Sequence, residues 1–384
     1  MNLIYDAQHV YGLSGRGAAN WIAWESRQVT ANGFADPTLR REDVTFNAAG
    51  KFVLPGFIDL HVHGSVGHDV MDATPEALDA MARYFAAHGV TGWLPTTLTH
   101  RHEALMAALT NVKARMAGGA PAGAKMLGAR LEGPYLNREK AGAQNPGYIR
   151  EPHMDEVNAL LDLDVIRLLD IAPEVNGADA VIAACKRRGV VTSAAHTNAT
   201  YEQVLHAHSI GLTHSTHTFN AQSPLNHRAP GTVGAVLTTD SMTAEVICDG
   251  VHVHPAAVRI AAHCKGANLA LITDAIRPAG MPEGDYPFDE RIVTLRDGAV
   301  RLPDGTLSGS ALAMNDGVRK FRDLTGDLAW ASRAASAVPA RVIGLHGRKG
   351  TLDAGMDADL IVVDEDLNVY LTVVEGEIVY RQGI

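Results

Sequence analysis

Eight short apolar runs, mostly separated by amphipathic segments, constrain this chain more than any other feature. They are "FVLPGFIDL", "VTGWLPTTL", "KMLGARLEG", "VIRLLDIAP", "VVTSAAH", "LTHSTHTF", "MTAEVICDG" and "LALITDA". Strand patterns alternating with helix patterns imply a parallel sheet. Eight such units imply an α/β fold closed into a (β/α)8, TIM-type barrel. The intervening segments carry helix punctuation. Thr74 is placed to cap a helix that starts at Pro75 and stops before Gly89. Leu78, Met81, Ala82 and Phe85 fall on one face of it. Leu105, Ala108, Leu109 and Val112 repeat that spacing, as do Ala178, Val181, Ile182 and Cys185 before Gly189.

The chain ends differ. The first ~50 residues lack helical periodicity and read as short strands and turns, with "NWIAWES" as one strand. The tail segments "DADLIVVD" and "YLTVVEGEIVY" are β-rich, with a hairpin turn near Glu375 and Gly376. The expected organisation is therefore a barrel over residues 53–345. A small β-sandwich is built from residues 1–52 and 346–384, so that the two ends meet. At 384 residues the chain accommodates one large unit and one small one.

Composition excludes several classes. A net charge of −10 opposes nucleic acid and anionic membranes, both of which require a basic face. No apolar run approaches the ~18 residues of a membrane span. Residues Met1 to Val10 contain Asp6, Gln8 and His9, and no secretory core follows them. Cys185, Cys248 and Cys264 form no CxxC pair and are odd in number, as expected of reduced thiols in the cytoplasm.

Chemistry concentrates where a barrel puts it. Active sites in this architecture lie at the C-terminal ends of the strands. Here the first run ends in Asp59, His61 and His63, the third in Glu132 and the fifth in His196. The sixth ends in His214 and His217, the seventh in Asp249 and His252, and the eighth in Asp274. Imidazoles and carboxylates converging on one rim suit a divalent transition metal. His61 and His63 share a strand face, because the side-chain period is two. A metal with an open position polarises a carbonyl and acidifies water. Hydrolysis then needs a carboxylate to move the proton, and Asp274 is the candidate.

The segments "LPGFIDLHVHG", "LEGPYLN", "AAHTNAT", "STHTFNAQSPLNHRAPG", "CDGVHVHP", "LITDA" and "GTLSGSALAM" occur in that order. Together they resemble the N-acetylglucosamine-6-phosphate deacetylases, a branch of the amidohydrolase superfamily. The likeness runs from about Phe52 into the "GMDADLIVVD" tail. It implies hydrolysis of the acetamide of a phosphorylated amino sugar, in amino-sugar catabolism and cell-wall sugar recycling. It also implies Glu132, His196 and His217 as ligands of the main ion, with Asp274 as general acid and base. His61 and His63 would hold a second ion in members that keep this pair, so one or two ions per subunit are expected. Zinc comes first among zinc, iron, manganese and cobalt.

The resemblance places substrate contacts at Asn220, Ala221, Arg228 and His252. It adds the backbone of Leu307, Ser308 and Gly309, and a loop at Ala143 and Gln144. Gln144 stands where some members carry His. Arg228 offers a planar, bidentate donor for phosphate. In the family it acts across a homodimer. Two other readings compete. Cyclic amidases of the superfamily bridge two metals with a carboxylated Lys, but Glu132 occupies the third-strand position here. A barrel that only binds sugar phosphate would not need every expected ligand and the base.

Overall fold

A computed structural model describes residues 1–14, 19–34, 37, 43–118 and 123–384. The remaining parts of the N-terminal β-rich stretch lie outside the described residues.

Eight parallel strands form the barrel: β1 (Phe57–Val62), β2 (Val90–Thr97), β3 (Ala129–Glu132), β4 (Ile166–Ile171), β5 (Val191–Ala194), β6 (Leu212–Ser215), β7 (Thr243–Ile247) and β8 (Leu269–Ile272). Each pairs with the next in parallel register. Closure between β8 and β1 runs through Asp274 N–H to the His61 carbonyl at 2.8 Å and His63 N–H to the Ala275 carbonyl at 2.8 Å. A helix follows every strand, among them Pro75–Ala87, His102–Ala117 and Ala178–Arg187. The Thr74 hydroxyl caps the first by accepting from Ala77 N–H, and the four residues expected on its inner face are buried. The inner faces of the other two are buried at the expected positions as well. These stripes pack on the outward side chains of the strands, such as Trp93, Leu131 and Leu169, in one continuous core.

The chain ends meet. One sheet takes the order Gln28–Gly33, Trp21–Glu25, Asn2–Tyr5, Val44–Asn47. A second takes the order His9–Val10, Phe52–Pro55, Leu360–Val363, Val369–Val374, Glu377–Arg381. Ile4, Ile22, Trp24, Val53, Leu360 and Leu371 share the core between them. The Trp24 indole N–H also donates to the Gly376 carbonyl at 3.0 Å, at the hairpin turn expected there. The break expected at 52/53 falls inside Phe52–Pro55, which pairs with Leu360–Val363 in the small sandwich. The single run "FVLPGFIDL" therefore changes sheet at Gly56. A side chain there would meet Thr91, its Cβ lying 2.1 Å from Thr91 Cγ2.

One element was not foreseen. Between β8 and the helix Met314–Thr325, an antiparallel sheet is built from Gly284–Phe288, Arg291–Arg296, Ala299–Arg301 and Leu307–Ser310. Its last strand returns to the barrel rim, where Ser310 N–H donates to the Asp274 carbonyl at 2.7 Å.

Candidate metal centre and substrate chamber

His61, His63, Glu132, His196 and His217 are all buried, and their ligand atoms converge. Nε2 of His61 and Nε2 of His63 lie 3.1 Å apart, and Nε2 of His196 and of His217 lie 3.2 Å apart. Glu132 stands between the two pairs. Its Oε1 is 3.3 Å from both His196 and His217, and its Oε2 is 3.2 Å from His63. Asp274 Oδ1 lies 3.4 Å from Nε2 of both His61 and His63.

These separations match a metal site. Two ligands at ~2.1 Å from a tetrahedral ion stand ~3.4 Å from each other. The other ring nitrogens support the same fit. His63 Nδ1 faces the Thr96 carbonyl at 3.1 Å, and His196 Nδ1 faces the Lys140 carbonyl at 2.8 Å. A carbonyl only accepts, so both rings donate from Nδ1, and in neutral rings both Nε2 lone pairs point inward. Inward lone pairs 3.1–3.4 Å from other acceptors require positive charge among them. The donor set, His and carboxylate without thiolate, suits a divalent ion such as zinc or iron.

The electrostatics agree. Burial raises the carboxyl of Glu132, but the imidazoles around it, His61 first and then His196 and His217, override it and hold Glu132 well below the usual range. Burial also raises Asp274, yet His61 and His63 hold it at about 2, so it is a carboxylate at neutral pH. Burial strips charge from His61 and His63, and Arg130 opposes a charge on His61. Asp274 and Glu132 outweigh these effects and lift His61 to about 10 and His63 to about 9. The carboxylates and imidazoles therefore favour positive charge among them, which a bound cation would supply.

Backbone geometry marks the same residues. Asp274 (φ 50°), His196 (φ 42°), His217 (φ 25°) and Ala221 (φ 49°) are non-glycine residues in the left-handed region. Each such position costs ~1–3 kcal/mol, and such strain concentrates at functional sites. Gly309 (φ 56°) adopts it without that cost, and a Cβ there would lie 2.9 Å from the Asp274 carbonyl oxygen.

A chamber of about 290 Å³ opens over the cluster. Ala143, Gln144, Asn220, Ala221, His252, Leu307 and Gly309 line it together with His63, Glu132, His196, His217 and Asp274. His252 is oriented by Asp249, whose Oδ2 lies 2.6 Å from its Nδ1. Gln144 does more than line the wall. Its Nε2 donates to Glu132 Oε2, and its Oε1 accepts from Thr99 N–H at 2.8 Å. Two candidate contacts fall elsewhere. Ser308 is fully buried and is not on the chamber wall. Arg228 lies on the exposed loop 224–229 and lines a separate cleft with Asn198, Tyr201 and Asn226. No residue of that loop lines the chamber.

Two strand-end residues also take other roles. His214 sits below the cluster, with Nε2 2.9 Å from Glu245 and Nδ1 2.5 Å from Thr243. Asp59 accepts from the Thr273 hydroxyl at 2.5 Å, tying β1 to β8. The structure adds wall residues that the sequence did not flag: Leu98, Glu139, Lys140, Gly142, Ile276, Phe288 and Thr306. Phe288 ends the first strand of the unforeseen sheet, and Thr306 immediately precedes its last strand. Paired Asp297-Gly298 and Asp304-Gly305 turns within an alternating stretch are the signal that could have revealed it.

Comparison with known proteins places this geometry. The amidohydrolase family model matches residues 52–379. The chain is 37% identical to the N-acetylglucosamine-6-phosphate deacetylase of Bacillus subtilis, over 86% of this chain and 85% of that one. It is 38% identical to the N-acetylgalactosamine-6-phosphate deacetylase of Escherichia coli O157:H7, over 85% and 88%. A solved structure of the Mycobacterium smegmatis N-acetyl-D-glucosamine-6-phosphate deacetylase, an aspartate-to-alanine mutant in complex with N-acetyl-D-glucosamine-6-phosphate, superposes with a TM-score of 0.91. Its sequence identity is 33%, with 98% of each chain covered. The chain belongs to the amidohydrolase family, among its N-acetylglucosamine-6-phosphate deacetylases.

Proposed function

We propose that this protein hydrolyses the acetamide of N-acetyl-D-glucosamine 6-phosphate, giving D-glucosamine 6-phosphate and acetate. The observation that carries the reading is the convergence of Glu132, four imidazoles and Asp274 at the floor of one chamber. Glu132, His196 and His217 would hold a divalent cation, which when bound would supply Lewis-acid polarisation and an acidified water. Zinc suits these ligands, and His61 with His63 would hold a second ion. Asp274 then takes a proton from the attacking water and delivers it to the amide nitrogen as the C–N bond breaks.

Asn220, Ala221, His252, Ala143, Gln144 and the backbone from Leu307 through Gly309 are assigned to hold the sugar phosphate. Arg228 is assigned to the phosphate of a neighbouring subunit's substrate in a homodimer. Its exposure, beside a Leu225 that is 57% exposed, supports that reading. Among the described residues no helix is long and apolar enough to cross a membrane. With unpaired thiols this supports a cytoplasmic enzyme.

Two outcomes test these assignments. Titration of metal-free protein should reach two equivalents, and His61→Ala should bring it to one. A wild-type plateau at one, unchanged in His61→Ala, removes the second ion. Arg228→Ala should raise KM for the phosphorylated substrate far more than for its unphosphorylated analogue, because a phosphate contact is shared by ground and transition states. Equal losses in kcat/KM on both substrates refute the phosphate role.

A further inference from the structure

Beneath the metal centre the barrel interior is ionic. Arg130 precedes Glu132 by two residues on β3, so it lies on the same face one layer lower. It is fully buried, and its guanidinium is engaged on every side. Asp170 takes Nε at 2.7 Å and Nη2 at 3.0 Å. Glu245 takes Nη1 at 2.6 Å and Nη2 at 3.1 Å. The Leu60 carbonyl and the Thr216 hydroxyl complete the set. TIM-barrel interiors are ordinarily filled by layers of bulky branched side chains. Replacing a buried ion network by packed apolar residues is often neutral or stabilising. Stability alone therefore gives little reason for this layer.

Its upper edge gives one. Glu245 Oε2 accepts the backbone N–H of His217 at 3.3 Å and lies 3.6 Å from Nδ1 of His61. That nitrogen is buried with no hydrogen-bond partner. The second separation is longer than a hydrogen bond, yet a facing carboxylate favours the proton on that nitrogen. His61 Nε2 is then left as the inward lone pair, as the facing carbonyls do for His63 and His196. The layer sets two carboxylates against one guanidinium, and His214 Nε2 holds the other side of Glu245 at 2.9 Å.

We infer that Glu245, held by Arg130, is a positioning residue that sets the ring orientation and tautomer of His61 and so the affinity of the ion on the His61–His63 side. This rests on the metal-dependent reading above.

The test compares three variants by Zn²⁺ titration against a chromophoric chelator, with the melting temperature of each metal-free protein measured in parallel. Glu245→Gln is expected to weaken one of two zinc sites by ~10–100-fold, as for outer partners of metal ligands, and to leave the other near wild type. Glu245→Asp keeps the charge on Arg130 but withdraws the carboxylate. It is expected to show the same one-site loss, and it serves if the glutamine variant does not fold. Asp170→Asn removes an equal charge from Arg130 without facing Nδ1 of His61, its own charge acting on His196 instead, so the zinc affinity on the His61–His63 side should hold. Parallel losses in the Asp170 and Glu245 variants, or lower melting temperatures with unchanged affinities, overturn the inference and leave the metal reading intact. Wild-type protein that binds no zinc overturns both.

Discussion

Asp274→Asn is expected to leave the protein folded, metal-loaded and able to bind substrate, while kcat falls by at least ~10²-fold, the low end for loss of a general acid and base. The imidazoles of His61 and His63 outweigh the effect of burial, so the carboxyl is ionised across the neutral range, and a bound cation would keep it so. The ionised form is the one that can accept a proton. An amide nitrogen leaves poorly unless it is protonated, so the same group must return that proton as the C–N bond breaks. Asparagine has nearly the same shape and can do neither. Steady-state rates, with metal content and substrate affinity measured on the same sample, check the prediction. Near-wild-type turnover in a folded, metal-loaded variant moves the base to another residue.

Glu132→Gln should reduce metal affinity at least as much as the ~100-fold upper end seen for outer-sphere partners, since Glu132 is placed as a ligand itself. The carboxylate touches all four imidazoles: Oε1 lies within 3.4 Å of His61, His196 and His217, and Oε2 lies 3.2 Å from His63. The change removes both a donor and the charge that offsets the cation. His196→Ala should act in the same direction by removing one donor. Elemental analysis of purified protein is the check. Full metal content in either variant contradicts the assignment.

Much of the barrel was legible because six of the eight strands announce themselves twice, by an apolar run and by the polar residue that ends it. The helices were legible for a similar reason: Thr74, Pro75 and Gly89 punctuate an amphipathic stripe in the order that backbone chemistry demands. What stayed hidden follows from what a linear pattern omits. "FVLPGFIDL" reads as one strand, since both halves are apolar and only the contact at Gly56 shows the change of sheet. His214 and His217 are the same residue type three positions apart. One pairs with Glu245 inside β6 and the other reaches the metal centre past its end. Height along the barrel axis separates them, and residue type does not encode it. Arg130 carries no signal of its own within the run "KMLGARLEG", and its complete burial between Asp170 and Glu245 is visible only in the fold. Arg228 was assigned to phosphate by the family resemblance and its planar donors, whereas its position on an exposed loop is a matter of topology.

The most direct test is acetate release from a panel of N-acetyl hexosamines, phosphorylated and unphosphorylated, in gluco and galacto configuration, with bound metal measured on the same preparation. The expected result is one acetate per free amine formed, fastest on N-acetyl-D-glucosamine 6-phosphate, abolished by metal removal and restored on adding the ion back. A folded, metal-loaded protein that releases no acetate from any phosphorylated N-acetyl hexosamine contradicts the account.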